Sequence, residues 1–396
     1  MRRNRLLSAA ATLGAVALLA TACGSGSDNT GSTASAGAGN PPDVPMATSV
    51  GAGEGAVNIL AWPGYAEKQW VKPFEQETGC QAKVSYFGTS DEAVTLMQTG
   101  QFDTVSASGD ASLRLIYGGD VAPVNTDLVP NYADIFPDLK DQSWNTVNGV
   151  NYGIPHGRGA NVLQWNSDVV KPAPTSWADM FDPNSPYAGK ITAYDSPIYI
   201  ADAAVYLMAT QPDLGITDPY SLDQTQFDAA IKALEDQKPI LANYWSDYNK
   251  QIQDFVKGDV VLGFSWQVNA NYAQVDNKAI KVVKPAEGAT GWSDTWMIAA
   301  NAEHPNCAYK WMNYIVSPKA NAEVAEFFGE APANEKSCSL TANKDHCSVF
   351  HATETDYWSN VYYWNTPRKQ CLDGRTDVVC KDYSEWVTAW TNLRAS

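Results

Sequence analysis

From Val57 onward, short apolar runs alternate with segments of helical period. Val57-Asn58-Ile59-Leu60-Ala61 has the length and bulk of a buried strand. Residues 66–78 use Trp70, Val71 and Phe74 as an apolar face and stop at Gly79, which predicts a helix. Pro73 lies inside that stretch and weakens its first turn. Ala82 to Phe87 reads as a second strand. Thr89-Ser90-Asp91-Glu92 has the form of a capping box and opens a helix through Met97. Phe102 to Ser106 is a third strand. The β-α-β-α-β order predicts a parallel sheet with helices on both faces.

The later chain continues in that style. Tyr152 to Pro155 and Ala160 to Trp165 read as strands, and Phe227, Ile231 and Leu234 share one helical face. Residues 248–257 predict a helix ended by Gly258, followed by a strand from Val260 to Trp266. Pro305 starts a helix with the core stripe Ala308, Trp311, Met312 and Ile315. Ser317-Pro318 starts another, which ends at Gly329. Beyond Ser337 the pattern is lost, and an aromatic, disulfide-bearing, loop-rich tail is expected. No internal repeat is visible.

Upstream of Val57 the pattern is different. Arg2, Arg3 and Arg5 precede an apolar run from Leu6 to Leu19, then Ala20-Thr21-Ala22-Cys23. The run is short of the roughly 20 residues a membrane span needs. Small residues before a cysteine resemble a bacterial lipobox, so residues 1–22 are expected to be a signal peptide and Cys23 the lipidated N-terminus. A plain secretory signal with an incidental cysteine is the alternative. Residues 24–55 are Gly, Ser, Ala, Thr, Asn and Pro with almost no bulky apolar side chain, which predicts a flexible tether. Its reach would be about 30 Å.

Composition narrows the function. The 396 residues suggest two domains or lobes. A net charge of -17, from 27 Lys+Arg against 44 Asp+Glu, argues against nucleic acid and mildly favours a cationic ligand. The 14 Trp and 19 Tyr exceed what a core requires, so some should line a cleft. Besides Cys23 there are six cysteines, an even set that reads as three disulfides in an exported chain. Cys338–Cys347 and Cys371–Cys380 close two short loops of equal span, which leaves Cys80–Cys307. The four His and the lack of a CxxC pair give no metal site, and no cofactor is expected. There is no Gly-x-Ser-x-Gly, His-Glu-x-x-His, P-loop or dinucleotide fingerprint to support an enzyme.

Several phrases together carry a resemblance. Val57 to Tyr65, with its Trp62-Pro63-Gly64-Tyr65 turn, and Phe74 to Gly79 resemble the opening of polyamine-type periplasmic solute-binding proteins. Phe102-Asp103-Thr104-Val105, Thr175 to Asp179, Gly189-Lys190-Ile191 and Gly291-Trp292-Ser293-Asp294 follow in the family's order. The resemblance covers about residues 57–334 and implies an α/β type II binding-protein fold. Two lobes with mostly parallel sheets close over a ligand by hinge motion. It implies a first lobe of 56–159 plus 294–337 and a second of 160–293 plus the tail 338–396. Cys80 and Cys307 would then share a lobe, which spares the hinge. The implied partners are a small amine or amino-acid-like solute and an ABC permease, with a monomer held at the membrane by its lipid alone, on the extracytoplasmic side.

An alkylammonium taken from water needs aromatic faces for its methylenes and charge, and carboxylates for its N–H donors. By motif match, Trp62 and Tyr65 follow the first strand, Ser108 and Asp110 the third, and Asp195 the strand after Lys190. Trp266 ends the 260–266 strand, and Trp292 with Asp294 sits at the return crossing. Ligands in such folds bind beyond the carboxyl ends of strands. Plain packing remains an alternative for the tryptophans, and helix capping for Asp110. Asn365 matches the family's C-terminal amide only through Trp364. Three positions depart from the family. Tyr199 stands near its second acid, Glu330 replaces a tyrosine, and Arg158 replaces an aromatic. An Arg158 facing the cleft opposite Asp294 would suit a zwitterion's carboxylate; the alternative is an internal ion pair at the hinge. His156 reads as structural.

Overall fold

A computed structural model describes residues 39–396. The expected signal peptide, Cys23 and the first part of the tether lie outside the described residues. Strand Ala56–Ala61 pairs in parallel with Gln81–Tyr86 on one side and Thr104–Ala107 on the other. Thr295–Ala299 adds antiparallel to Thr104–Ala107, and Val121–Ala122 closes that edge. The helix after the first strand spans Lys68–Thr78, two residues later than its pattern predicts, so Pro73 is interior. Gly79 ends it at φ 74°, a left-handed conformation that costs glycine little. Thr89 caps helix Ser90–Met97 by accepting from the Glu92 N–H. The Glu92 carboxylate reaches Gly88 N rather than Thr89 N, so the box is only half closed.

The second sheet runs in the order Leu241–Trp245, Ile191–Tyr194, Leu262–Trp266, Gly157–Asn166, Ala289–Trp292, Val361–Tyr363. The first three are mutually parallel, and Gly157–Asn166 is antiparallel to both its neighbours. That strand is longer than the run from Ala160 to Trp165 suggests, and Ile280–Val283 and Ala331–Pro332 also pair with it.

The chain passes between the sheets three times. Ile154–Pro155 belongs to the first sheet and Gly157 to the second, so His156 is the first crossing. The return runs from Trp292 to Thr295 through Ser293 and Asp294. The third follows helix Pro318–Phe328, at Gly329 and Glu330, before Ala331–Pro332. His156 N–H donates to the Asp294 carbonyl at 2.8 Å and ties the first two crossings together.

Two expectations are corrected here. The tether is not free as far as Gly55. Val44, Ala47 and Val50 pack on the core, and the Glu54 carboxylate accepts from the N–H groups of Asn306 and Cys307 at the start of helix Pro305–Ile315. Low bulk hid a segment that packs three small apolar side chains on the core and satisfies a helix N-terminus with Glu54. The tail is not all loop either. Tyr383–Ala395 is a helix with a complete Asp382/Glu385 capping box, and Trp386, Trp390 and Leu393 are buried. The disulfides join Cys80–Cys307, Cys338–Cys347 and Cys371–Cys380, as expected from the sequence. Among the described residues, no helix is long and apolar enough to cross a membrane.

Candidate functional site

A cavity of about 380 Å³ opens where strands of both sheets end. The residues just past Ala56–Ala61, Gln81–Tyr86 and Thr104–Ala107 supply Trp62, Phe87 and Ser108 from one side. The ends of Leu241–Trp245, Leu262–Trp266, Ala289–Trp292 and Val361–Tyr363 supply Ser246 and Asp247, Trp266, Trp292 and Trp364 from the other. Trp62 meets Trp266 edge-on across the gap, with ring centroids 6.1 Å apart. Trp292 can lie flat because Gly159 has no side chain; a Cβ there would come within 2.2 Å of its ring. The indole nitrogens of Trp266, Trp292 and Trp364 are buried, so these rings offer carbon and π surface to the cavity. No lysine, arginine or histidine is among the lining residues.

Asp294 lies at the floor, 4% exposed. Ser108 Oγ donates to its Oδ1 at 2.6 Å, and the Tyr65 hydroxyl lies 2.9 Å from its Oδ2. Trp62 Nε1 donates in turn to Ser108 Oγ at 3.1 Å. Burial pushes the Asp294 carboxyl up to about 7, against the two hydroxyl bonds that favour its ionised form. Burial and the two neighbouring acids hold the Tyr65 phenol well above its usual range. At the mouth stand Glu67, Asp247, Tyr272 and Phe327. Asp247 is exposed and caps helix Tyr248–Lys257, its Oδ1 accepting from Asn249 N and Lys250 N.

The structure thus brings Trp62, Tyr65, Ser108, Trp266, Trp292 and Asp294 together around one cavity. The other sequence candidates do not line it. Asp110 is buried in the first lobe, accepts from Ser90 Oγ, and is raised to about 6 by burial. Arg158 is corrected: it faces away from the cleft. Gly157 and Gly159 put the cleft side of their strand against Glu330 and Trp292, so Arg158 points to the opposite face. There it pairs with Asp138 at 2.5 Å, donates to the Ala352 carbonyl and stacks on Trp358. Asp195 is taken by Trp390 Nε1 and Arg394 of the tail helix, which the sequence reading missed. Tyr199 is core, bonded to Gln237. Asn365 donates to Ser143 Oγ, while its neighbour Trp364 lines the cavity. Glu330 lies behind Tyr65, its Oε2 3.1 Å from the phenol oxygen.

Sequence reasoning missed Phe87, Asp247, Tyr272, Phe328 and Trp364. Asp247 had a usable signal, since it sits at the N-cap of the predicted 248–257 helix. What hid it was the unrecognised strand Leu241–Trp245, whose carboxyl end it follows.

Two α/β lobes with strand ends facing a shared cavity, linked by three crossings, form a solute receptor of the type II binding-protein class. The chain belongs to the bacterial extracellular solute-binding protein family, which it matches over residues 69–345. It is similar to the spermidine/putrescine-binding periplasmic protein of Escherichia coli (strain K12), 27% identical over 277 residues, 69% of this chain and 76% of the relative. In fold it is similar to the spermidine/putrescine ABC transporter substrate-binding protein of Streptococcus pneumoniae, with TM-score 0.68, 18% identity, and coverage of 86% of this chain and 97% of the other. It is also similar to a binding protein (PBP) of A. tumefaciens B6 in complex with glucopine, with TM-score 0.67, 18% identity, and coverage of 86% and 99%. Proteins of this kind serve ABC importers by binding a solute, and they are not enzymes.

Proposed function

We propose that this protein captures a linear polyamine of the spermidine or putrescine kind outside the cell membrane and hands it to an ABC permease when its lobes close. Asp294 carries the reading. It is a buried carboxylate offered two hydroxyls, in a cavity with no basic side chain in its lining. Such a group lacks the cation that would offset its desolvation, and an ammonium supplies one. Trp62, Trp266 and Trp292 would pack the methylenes and give about 0.5–2 kcal/mol for a cation over a ring face. Asp247 and Glu67 at the mouth are the natural partners for a second ammonium. A zwitterion such as an opine fits less well, because Arg158, the cation that would hold its carboxylate, is spent on Asp138.

The same reading anchors the receptor as a monomer through lipid on Cys23, supported by the apolar run and the small residues before that cysteine. Mass spectrometry of membrane-extracted protein checks this: a Cys23→Ala chain should lose the lipid and leave the membrane fraction. For the ligand, the full chain is titrated with spermidine, putrescine, γ-aminobutyrate and a neutral amino acid while Trp fluorescence is followed. A saturable change with the polyamines supports the reading. A response confined to the zwitterions overturns it.

A further inference from the structure

The Tyr65 hydroxyl lies between two buried acids, 2.9 Å from Asp294 Oδ2 and 3.1 Å from Glu330 Oε2. A phenol has one proton to give. Both contacts are hydrogen bonds only if one of the acids brings a proton of its own. Asp294 is engaged at its other oxygen by Ser108 Oγ, which donates at 2.6 Å and favours the ionised form. Glu330 is fully buried and has no such donor at its other oxygen.

Among the described residues, the surroundings of Glu330 offer its carboxylate no cation, and its second oxygen only one distant donor. His156, on the first crossing, receives the Trp296 indole N–H on Nδ1 at 2.9 Å. That bond fixes the neutral tautomer with its proton on Nε2, because a proton on Nδ1 would oppose the indole's. Nε2 is 3.5 Å from Glu330 Oε1, beyond a good hydrogen bond, and burial keeps the imidazole uncharged by lowering it to about 3. Gly157 packs against the carboxyl, where a Cβ would come within 2.5 Å. His346, from the tail, bonds the Glu330 carbonyl with Nε2 and does not reach its carboxyl. Asp294, on the return crossing, adds negative charge. Two ionised carboxylates sharing one phenol in this setting would repel without compensation. Burial and the Asp294 charge push the Glu330 carboxyl well above its ordinary range, in the same direction.

We propose that Glu330 is a neutral carboxylic acid that donates its proton to the Tyr65 oxygen, so that Tyr65 donates to Asp294 and the cleft floor carries a single negative charge for a single ammonium. Glu330 is then a positioning residue. It sits on the third crossing, Asp294 on the second, and Tyr65 on the turn beyond the first strand, so the relay runs through the hinge. The matching of charge to one ammonium rests on the amine reading above. The protonation state of Glu330 does not.

Two measurements on the full chain keep these apart. The infrared difference between the ligand-free wild type and Glu330→Gln at about pH 8, well above the ordinary carboxyl range, should contain a protonated-carboxyl band, with Asp202, another buried acid raised by its burial, cancelling in the subtraction. Its absence from that difference overturns the proposal whatever the ligand is. The second is spermidine titration. Glu330→Leu, which removes the donor to Tyr65, should weaken binding by roughly tenfold. Glu330→Gln should recover most of that, because its amide N–H can donate in place of the acid. A Glu330→Gln loss as large as that of Asp294→Asn would mean that residue 330 supplies charge, and would overturn the proposal. If the wild type binds no amine, the function above fails while the infrared result still decides the proton.

Discussion

Asp294 is held between two demands. Burial favours its neutral form and raises the carboxyl to about 7, while the hydroxyls of Ser108 and Tyr65 favour its anion. A bound ammonium tips that balance to the anion. Amine affinity should therefore fall as the pH drops through about 7, and binding on the acid side should release a proton. Calorimetry in two buffers of different ionisation enthalpy counts that proton, and a flat affinity across the range would contradict the assignment. The stability linkage has the opposite slope. Because the folded value is raised above the unfolded one, this group's contribution to stability is complete below the ordinary Asp range and is lost as the pH rises toward about 7. Ligand-induced thermal stabilisation should accordingly grow with pH over that window. Asp294→Asn should cost roughly a hundredfold in spermidine affinity and leave a much flatter pH profile.

At the scale of the element, helix Tyr248–Lys257 and its cap serve two purposes. Asp247 closes the helix N-terminus with one oxygen and stands at the cavity mouth. Asp247→Asn keeps a good cap and removes the charge, so it should weaken spermidine and putrescine by roughly threefold to tenfold with little change in melting temperature. Asp247→Ala should add about 1 kcal/mol of destabilisation. Binding titrations beside thermal melts separate the two effects. Elements with a clear period were legible in advance: helix Tyr248–Lys257 stops at Gly258, helix Pro305–Ile315 starts at its proline, and helix Pro318–Phe328 runs from the Ser317-Pro318 start to Gly329. Leu241–Trp245 was not, because a half-buried strand of mixed residues carries no clean alternation. The tail helix carries its own start signal in the Asp382 and Glu385 capping box, which the expectation of a loop-rich tail passed over. Of the site, Trp62, Ser108, Trp266 and Trp292 were readable from predicted strand ends, whereas Asp110 and Asp195 follow such ends and do not line the cavity. Arg158 was not readable, since which face of its strand looks into the cleft depends on the register that Gly157 and Gly159 set.

At the scale of the molecule, the lobes touch at the rim as well as through the crossings. The Tyr272 hydroxyl donates to the Phe327 carbonyl at 2.6 Å, joining helix Gln267–Asp276 of one lobe to helix Pro318–Phe328 of the other. If this contact keeps the cleft shut over its guest, Tyr272→Phe should raise the spermidine dissociation rate by roughly threefold to tenfold and leave association nearly unchanged, as read by stopped-flow fluorescence. The Cys80–Cys307 bond acts on a different quantity. It links residues separated by 227 positions, and the loop it closes contains the whole passage through the second lobe before the chain returns. Yet both cysteines sit beside the first sheet, at the start of Gln81–Tyr86 and in helix Pro305–Ile315, so the bond does not span the hinge. It should therefore restrain the unfolded chain without limiting closure. The double variant Cys80→Ala with Cys307→Ala should lose about 2–5 kcal/mol of unfolding free energy while its spermidine affinity is retained. Urea denaturation and the fluorescence titration, run on the same preparation, test the two halves of that statement. A drop in affinity from the folded double variant would mean that the strain of closure reaches the disulfide, and that the first lobe does not move as one body.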